Sequence, residues 1–317
     1  MSRFRNEVLD WFEDGRVAPG GGRAVLRAAG MLPDAADWRL FLGRLSLWLG
    51  TLALAAALIF FFAFNWDSLG RFAKFGLVEG AIAAGLLLCW RLDLDAMAGK
   101  AVLTLLSLLA GALLALTGQV YQTGADTFEL FAWWAALILP WVAVSRFSPL
   151  WLLWLALLNL AVLLYFQRSW DGEAMLWSLL ALDSLALLLW EAAHRRGITW
   201  LRDSWPPRLV AVASGVAATS LLVWAIMDGG DGAGAALVPL TYFAWLGALY
   251  AWYRYVRPDL FMLAGGVLSA IVGTVFFLSK LMLSGDGGSF LFIGLVVIGM
   301  SASGAYWLRS VAQEQGA

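Results

Sequence analysis

Long apolar runs recur along almost the whole chain, and they restrict its fold more than any other feature. Ten runs follow the first 42 residues, at about 43–64, 72–90, 101–118, 128–145, 149–166, 174–192, 208–227, 236–253, 259–279 and 289–308. A helix needs about 20 apolar residues to cross the roughly 30 Å hydrocarbon core of a bilayer. Since hydrocarbon offers the backbone no hydrogen-bond partner, such runs cross it as helices. We predict an all-α, polytopic bundle of about ten transmembrane helices.

The composition agrees with a chain whose solvent is lipid. Hydrophobic residues make up 62% of the sequence and charged residues 14%, whereas a soluble domain has roughly 25% charged residues. Membrane lipids are therefore the first expected partners. Tryptophan is abundant, with 19 residues, and tryptophans at the ends of membrane helices form belts at the headgroup level. Those at the ends of the runs are Trp66, Trp90, Trp151, Trp170, Trp190, Trp200, Trp205 and Trp307.

The distribution of positive charge predicts the orientation of the helices. With a cytoplasmic N-terminus and ten crossings, only four of the 21 Lys and Arg residues lie outside: Arg71, Lys74, Arg168 and Lys280. Cytoplasmic segments of membrane proteins are enriched in Lys and Arg. The asymmetry therefore predicts an even number of helices, with both termini in the cytoplasm.

Residues 1–38 are more polar than the rest of the chain. A helix around Trp11 and a second from Gly22 to Ala29, ending before Pro33, would form a short cytoplasmic helical hairpin. The hairpin either packs on the membrane domain or docks a partner. We predict two parts: the hairpin, residues 1–38, and the transmembrane domain, residues 39–317.

Three polar residues interrupt the apolar runs near their centres: Asp183, Glu79 and Asn159. A charged side chain at the centre of a membrane helix costs about 2.5–3.5 kcal/mol on insertion scales, so each must face protein or water. They are candidate substrate-binding residues in a polar pocket. The alternative is that they only fix the packing of the helices. Glu191, one turn before Arg195, is instead expected to form an ion pair at the headgroup level.

The turn between the third and fourth runs is the most polar junction of the predicted membrane domain, and it has no positive charge of its own. Its polar side chains are Gln119, Tyr121, Gln122, Asp126 and Glu129. They could form the lip of a solute-binding site. They could equally form a capped turn, in which Asp126 or Thr127 caps the next helix.

The first outer turn and the end of the ninth run supply secondary candidates. Asn65 and Asp67 are of types that more often cap and turn the chain than bind ligands. Lys280 can extend toward the membrane surface or pair with an acid on the outer side.

Several classes of chemistry have no support in the sequence. One cysteine and one histidine exclude an internal disulfide and a Cys/His zinc site. Nucleotide-binding and hydrolase motifs are missing, and a net charge of −1 gives no field that would attract nucleic acid. We therefore predict no catalytic residue, metal site, cofactor or nucleic-acid partner.

Two motifs follow the first and third runs: Asn65-Trp66-Asp67-Ser68-Leu69-Gly70 and Gly118-Gln119-Val120-Tyr121-Gln122-Thr123-Gly124-Ala125-Asp126. Together with the phenylalanine-rich first run, they resemble a bacterial family of predicted multi-pass inner-membrane proteins of unknown function. The resemblance covers roughly residues 5–165, and the remainder is similar only in hydropathy. It implies a location in the bacterial inner membrane, but no reaction, substrate or cofactor.

Our leading functional hypothesis is transport or binding of a small solute or lipid-linked group through an outward-facing polar cavity. It rests on Asp183, Glu79 and the turn at residues 118–129. A second hypothesis is an envelope assembly factor that binds another membrane protein or a second copy of itself. A third is an intramembrane lipid transferase, which would depend on the same carboxylates.

Overall fold

The computed structural model describes residues 11, 14, 21–28, 32–33, 35–64, 69–122, 124–201, 203–228, 233–282 and 287–316. In these ranges the chain is helical and has no β-strand. The helices are α1 Gly22–Ala28, α2 Ala35–Phe64, α3 Arg71–Arg91, α4 Met97–Tyr121, α5 Thr127–Ser145, α6 Ser148–Ser169, α7 Gly172–Arg195, α8 Trp205–Asp228, α9 Ala233–Ala251, α10 Leu260–Leu281 and α11 Gly287–Gly316. A short 3-10 turn, Thr199–Leu201, precedes α8, and a π-turn, Trp252–Val256, continues α9.

The ten long helices α2 to α11 correspond one to one to the ten predicted runs. Nine of them, all except α9, have described residues long and apolar enough to cross a membrane. The prediction of a polytopic helical membrane protein is confirmed. Helix α1 corresponds to the predicted second helix of the N-terminal hairpin, and most of the predicted first helix lies outside the described ranges.

The helices at the two ends of the membrane domain are longer than their apolar runs. Helix α2 begins at Ala35, eight residues before its run, and α11 ends at Gly316, eight residues after its run. Each has 30 residues and is therefore about 45 Å long. Helical hydrogen bonding can continue beyond the hydrocarbon, whereas hydropathy marks only the part that lies in lipid.

The chain forms two compact units, Met1–Tyr121 and Gln122–Ala317. In the N-terminal unit, α4 packs against both α2 and α3. Its core includes Val78 and Leu116, surrounded by Phe75, Ile82 and Leu113. The boundary between the hairpin and the transmembrane domain, between residues 38 and 39, differs from this division and stays a prediction.

In the C-terminal unit, helices that follow each other in the chain pack side by side, and α8 also contacts α10. One buried cluster joins α7, α8 and α9 through Leu180, Leu221 and Tyr242. A second cluster joins α8, α9, α10 and α11 through residues such as Met262 and Val311. Helices α8 and α9 contribute to both clusters, and α8 contacts α6, α7, α9 and α10.

Candidate functional site

Asp183 and Asn159, two of the three polar residues predicted inside apolar helices, are in direct contact. Asp183 lies midway along α7 and is 1% exposed. The Nδ2 group of Asn159, on α6, donates to Oδ1 of Asp183 at 2.9 Å and to the backbone oxygen of Leu155 at 3.0 Å. Both amide hydrogens are used, and the pair is the polar centre of the α6–α7 interface.

Three other candidates belong to the N-terminal unit. Glu79 is exposed on α3, and Gln119 is exposed near the end of α4. Tyr121 is also exposed, and its ring centre lies 5.7 Å from that of Phe75. The candidate substrate-binding residues are thus divided between the two compact units, and Asn159 with Asp183 is a bonded pair within one of them.

In the polar turn before α5, the backbone is left-handed at Gln122, φ 44°, and at Gly124, φ 66°. Asp126 occupies the N-cap position of α5, but its carboxylate makes no capping hydrogen bond, so the side-chain cap considered for Asp126 does not form. The carboxylate forms an ion pair with Arg168, at the end of α6. The turn contains no basic residue, and its cationic partner, Arg168, comes from the end of α6. Glu129 is half-buried in the first turn of α5.

The secondary candidates contribute little to the described geometry. Lys280 is exposed in the last turn of α10. Asn65 and Asp67 lie outside the residues that the structure describes.

The Glu191 carboxylate accepts hydrogen bonds from three side chains. It is 4% exposed. Its Oε1 accepts hydrogen bonds from the Tyr253 hydroxyl at 2.9 Å and from Nη1 of Arg257 at 2.8 Å, and its Oε2 accepts one from Nε1 of Trp252 at 3.3 Å. The expected ion pair therefore forms with Arg257. The nearby Arg195 lies over the Trp252 ring, 4.3 Å from its centre.

The π-turn Trp252–Val256 supplies two of the three donors to Glu191. Its widened hydrogen bond runs from the backbone N–H of Arg257 to the oxygen of Trp252 at 2.9 Å. Such turns are rare and often occur at functional sites. Here the turn places Trp252 and Tyr253, which follow α9, in contact with the Glu191 carboxylate of α7.

Two more ion pairs lie at the same end of the C-terminal unit. Arg208 binds Asp259 through two hydrogen bonds of 3.0 and 3.2 Å, and Arg254 pairs with Glu314. These pairs connect the carboxyl ends of α9 and α11 and the amino ends of α8 and α10. Because neighbouring helices alternate in direction, these ends lie together, at the end that the arginine count predicts to be cytoplasmic.

A cavity of about 350 Å³ lies between α6, α7 and the turn that follows α7. We call it the tryptophan cavity. No charged side chain lines it. Its walls are Trp151, Trp154, Leu155, Leu182, Leu185, Ala186, Leu189, Trp190, Ala193, Ile198, Trp200 and Leu201.

The four tryptophans of this cavity contact one another in series. Trp151 packs edge to face on Trp154 and stacks on Trp200, with ring centres 5.8 and 6.1 Å away, and Trp200 packs against Trp190 at 6.2 Å. The indole N–H of Trp154 donates to the backbone oxygen of Ala135 at 3.0 Å. Those of Trp151 and Trp190 are buried and have no acceptor among the described residues. A buried donor without a partner costs about 1–3 kcal/mol.

Polar contacts hold both ends of the tryptophan cavity. At one end, Asn159 lies one helical turn beyond the wall residue Leu155 and binds Asp183. At the other end, Nδ1 of His194 lies 3.1 Å from the backbone oxygen of Leu201, and the Ser148 hydroxyl donates to the backbone oxygen of Trp200 at 3.3 Å. These bonds fix the turn that borders the cavity at this end.

A second cavity, of about 290 Å³, lies between α8, α9 and α10 and is bordered by Thr219 and Ser269. The Thr219 hydroxyl donates to the backbone oxygen of Gly215 at 2.6 Å. Ser269 therefore donates to Thr219 at 2.7 Å, and Tyr242 donates to Ser269 at 2.8 Å. Each of these hydrogens is used within the protein, so this hydroxyl chain joins three helices and leaves no donor for a ligand.

The sequence reading missed the tryptophan cavity and the partners of Glu191. Trp90 and Trp170 are 85% and 90% exposed, as expected of belt residues. The sequence predicts the same belt position for Trp151, Trp190 and Trp200. In the structure, Trp200 packs against both Trp151 and Trp190. The available signal was the spacing of Trp151 and Trp154, which places both on one helical face.

Replacing Asn159 and Asp183 by leucine, singly and together, tests whether the two side chains form one unit. Asn159→Leu leaves the buried Asp183 carboxylate without its partner, and Asp183→Leu leaves one amide hydrogen of Asn159 unpaired, so we expect each single change to lower the free energy of unfolding by about 1–3 kcal/mol. The double variant should lose less than the sum, with a coupling of about 0.5–2 kcal/mol. Unfolding in mixed micelles measures the free energy of unfolding of the two single variants and the double variant. Strictly additive losses would contradict the pairing.

Comparison with known proteins gives a family match for part of the chain and no activity. The family described as "Predicted membrane protein (DUF2157)" matches residues 9–151. Neither the curated proteins nor the solved structures contain a match to this chain. The matched residues run from the N-terminal segment to the first turn of α6. The expected resemblance to a family of predicted membrane proteins of unknown function is confirmed over residues 9–151.

Proposed function

We propose that this multi-pass membrane protein binds a lipid or a lipid-linked molecule in the tryptophan cavity. The observation that carries the proposal is the cavity itself, about 350 Å³ in volume and walled by four tryptophans and by aliphatic side chains. Ligand pockets have volumes of roughly 300–1,000 Å³ and mostly apolar walls. Because no charged side chain lines the cavity, the part of the ligand inside it is apolar.

The surroundings of the cavity support entry from the bilayer. Leu185 and Leu189 line it and are also 56% and 61% exposed on the outside of α7. A molecule dissolved in lipid can therefore enter between α6 and α7 without crossing water. This favours a lipid over a water-soluble solute.

The indole groups of Trp151 and Trp190 support a ligand that carries a hydrogen-bond acceptor. Their N–H groups have no acceptor among the described residues. After a small rotation of either ring, an ester or amide oxygen of a bound lipid could accept from it. Such a bond would recover part of the cost of the buried donors.

In this proposal the residues singled out in the sequence have different roles. Asn159 and Asp183 hold together the two helices that form the cavity walls. Movement of the bound molecule across the membrane is a further step of the proposal. Glu79 and the polar turn at residues 119–129 are the candidate polar groups for that step.

We further propose a bacterial inner-membrane location, with the arginine-rich end of the C-terminal unit and both termini in the cytoplasm. An epitope tag within residues 229–232 should then be accessible from the periplasm, while a tag at the C-terminus is protected. Protease accessibility in intact spheroplasts measures both. A tag at residues 229–232 that is cleaved only after the membrane is opened would contradict this orientation.

Filling the tryptophan cavity should displace its ligand. The Ala186→Trp variant places a large ring in the cavity, and overpacking costs about 1–3 kcal/mol, so we expect about tenfold less retained lipid. Native mass spectrometry of the full chain after purification in mild detergent measures retention. Ala181→Trp is the matched control, because Ala181 lies on the same helix, is exposed and does not line the cavity. Equal retention by both variants and the unmodified chain would overturn the proposal.

A further inference from the structure

We infer that the ligand of the tryptophan cavity is an anionic lipid, with its phosphate at Arg196 and its apolar tail among the tryptophans. This inference rests on the proposed function and specifies the ligand of the same cavity. It is argued from the shape of the cavity and from the charges at its mouth.

The cavity is elongated along α7. Leu182, Ala186, Leu189 and Ala193 are spaced by four, three and four residues, and Leu185 precedes Ala186, so together they form one stripe along the helix axis. From Leu182 to Ala193 is eleven residues, or about 16.5 Å at the helical rise of 1.5 Å per residue, and Arg196 follows three residues later. A stripe of this length, parallel to the helix, suits an extended hydrocarbon chain.

Arg196 follows this stripe at the carboxyl end of α7, the end that we infer to be the mouth of the cavity. It is the C-cap residue of α7, and it lies between the wall residues Ala193 and Ile198 in the sequence. Gly197, with φ 76°, turns the chain at this point. The Arg196 side chain is exposed and has no partner in the portion of the chain that the structure describes.

The other basic side chains at the end of α7 are already engaged. His194 contacts the backbone oxygen of Leu201, and Arg195 covers the Trp252 ring. Among the described residues from His194 to Leu201, Arg196 is therefore the basic side chain left for a ligand at the mouth. A guanidinium group binds phosphate through paired hydrogen bonds.

The amino end of α6 adds positive potential at the same mouth. Trp151, in the first turn of α6, is a wall of the cavity. The N-cap residue Phe147 provides no side-chain cap for this helix. A helix amino end carries a partial positive charge of about half a unit, so it complements a phosphate held by Arg196.

Photolabelling of the full chain in nanodiscs tests the inference. The probes are phosphatidylglycerol and diacylglycerol with the same diazirine-bearing tail, and mass spectrometry measures labelling of the peptides that contain residues 182–201. We expect phosphatidylglycerol to label these peptides more strongly. In Arg196→Gln the preference should fall about fivefold, which corresponds to about 1 kcal/mol for one basic residue near the surface.

Two control variants separate the mouth from the general membrane surface. Arg196→Lys keeps the positive charge and should retain most of the preference. Arg309→Gln removes an exposed arginine from α11 and should leave the preference unchanged. Equal labelling by both probes, or an equal loss in Arg309→Gln, would overturn the anionic-lipid inference while the lipid cavity stands. If neither probe labels residues 182–201, the proposed function fails as well.

Discussion

Hydrocarbon offers a polypeptide no hydrogen-bond partner, and this constraint explains both the helices and the few polar contacts between them. A polar side chain within a membrane helix is stabilised by a partner in the protein. Asp183 has Asn159, and Glu191 has three donors, two of which come from the π-turn after α9. Helix packing in lipid gains little from the hydrophobic effect, so these polar pairs help to fix which faces of α6, α7 and α9 meet.

The sequence was informative wherever one segment decides the outcome. The number of helices and their approximate bounds follow from hydropathy. The burial of Asp183 against protein follows from its place in an apolar run. Contacts between distant segments could not be read in the same way. Glu191 and Arg257 are 66 residues apart, and their pairing depends on the rotation of α7 and on a π-turn without a sequence signal. Trp151, Trp190 and Trp200 resembled belt residues because composition cannot distinguish a ring facing lipid from one facing another ring.

The tryptophan cavity relates these contacts to the proposed binding of a lipid. Its walls are held by the Asn159–Asp183 bond at one end and by the turn that carries Trp200 at the other. Only Trp151 among its wall residues falls within residues 9–151, the region that matches the family of predicted membrane proteins. The cavity is thus built almost entirely by the part of the chain beyond that match, and the function proposed here is argued from its geometry alone.

The most direct test of this account is a cryo-electron microscopy map of the full chain in nanodiscs formed with the lipids of its own membrane. The account predicts elongated density between α6 and α7, running from the turn at Trp200 toward Asp183. A well-resolved map in which side chains fill this space, with no density for a lipid, would contradict it.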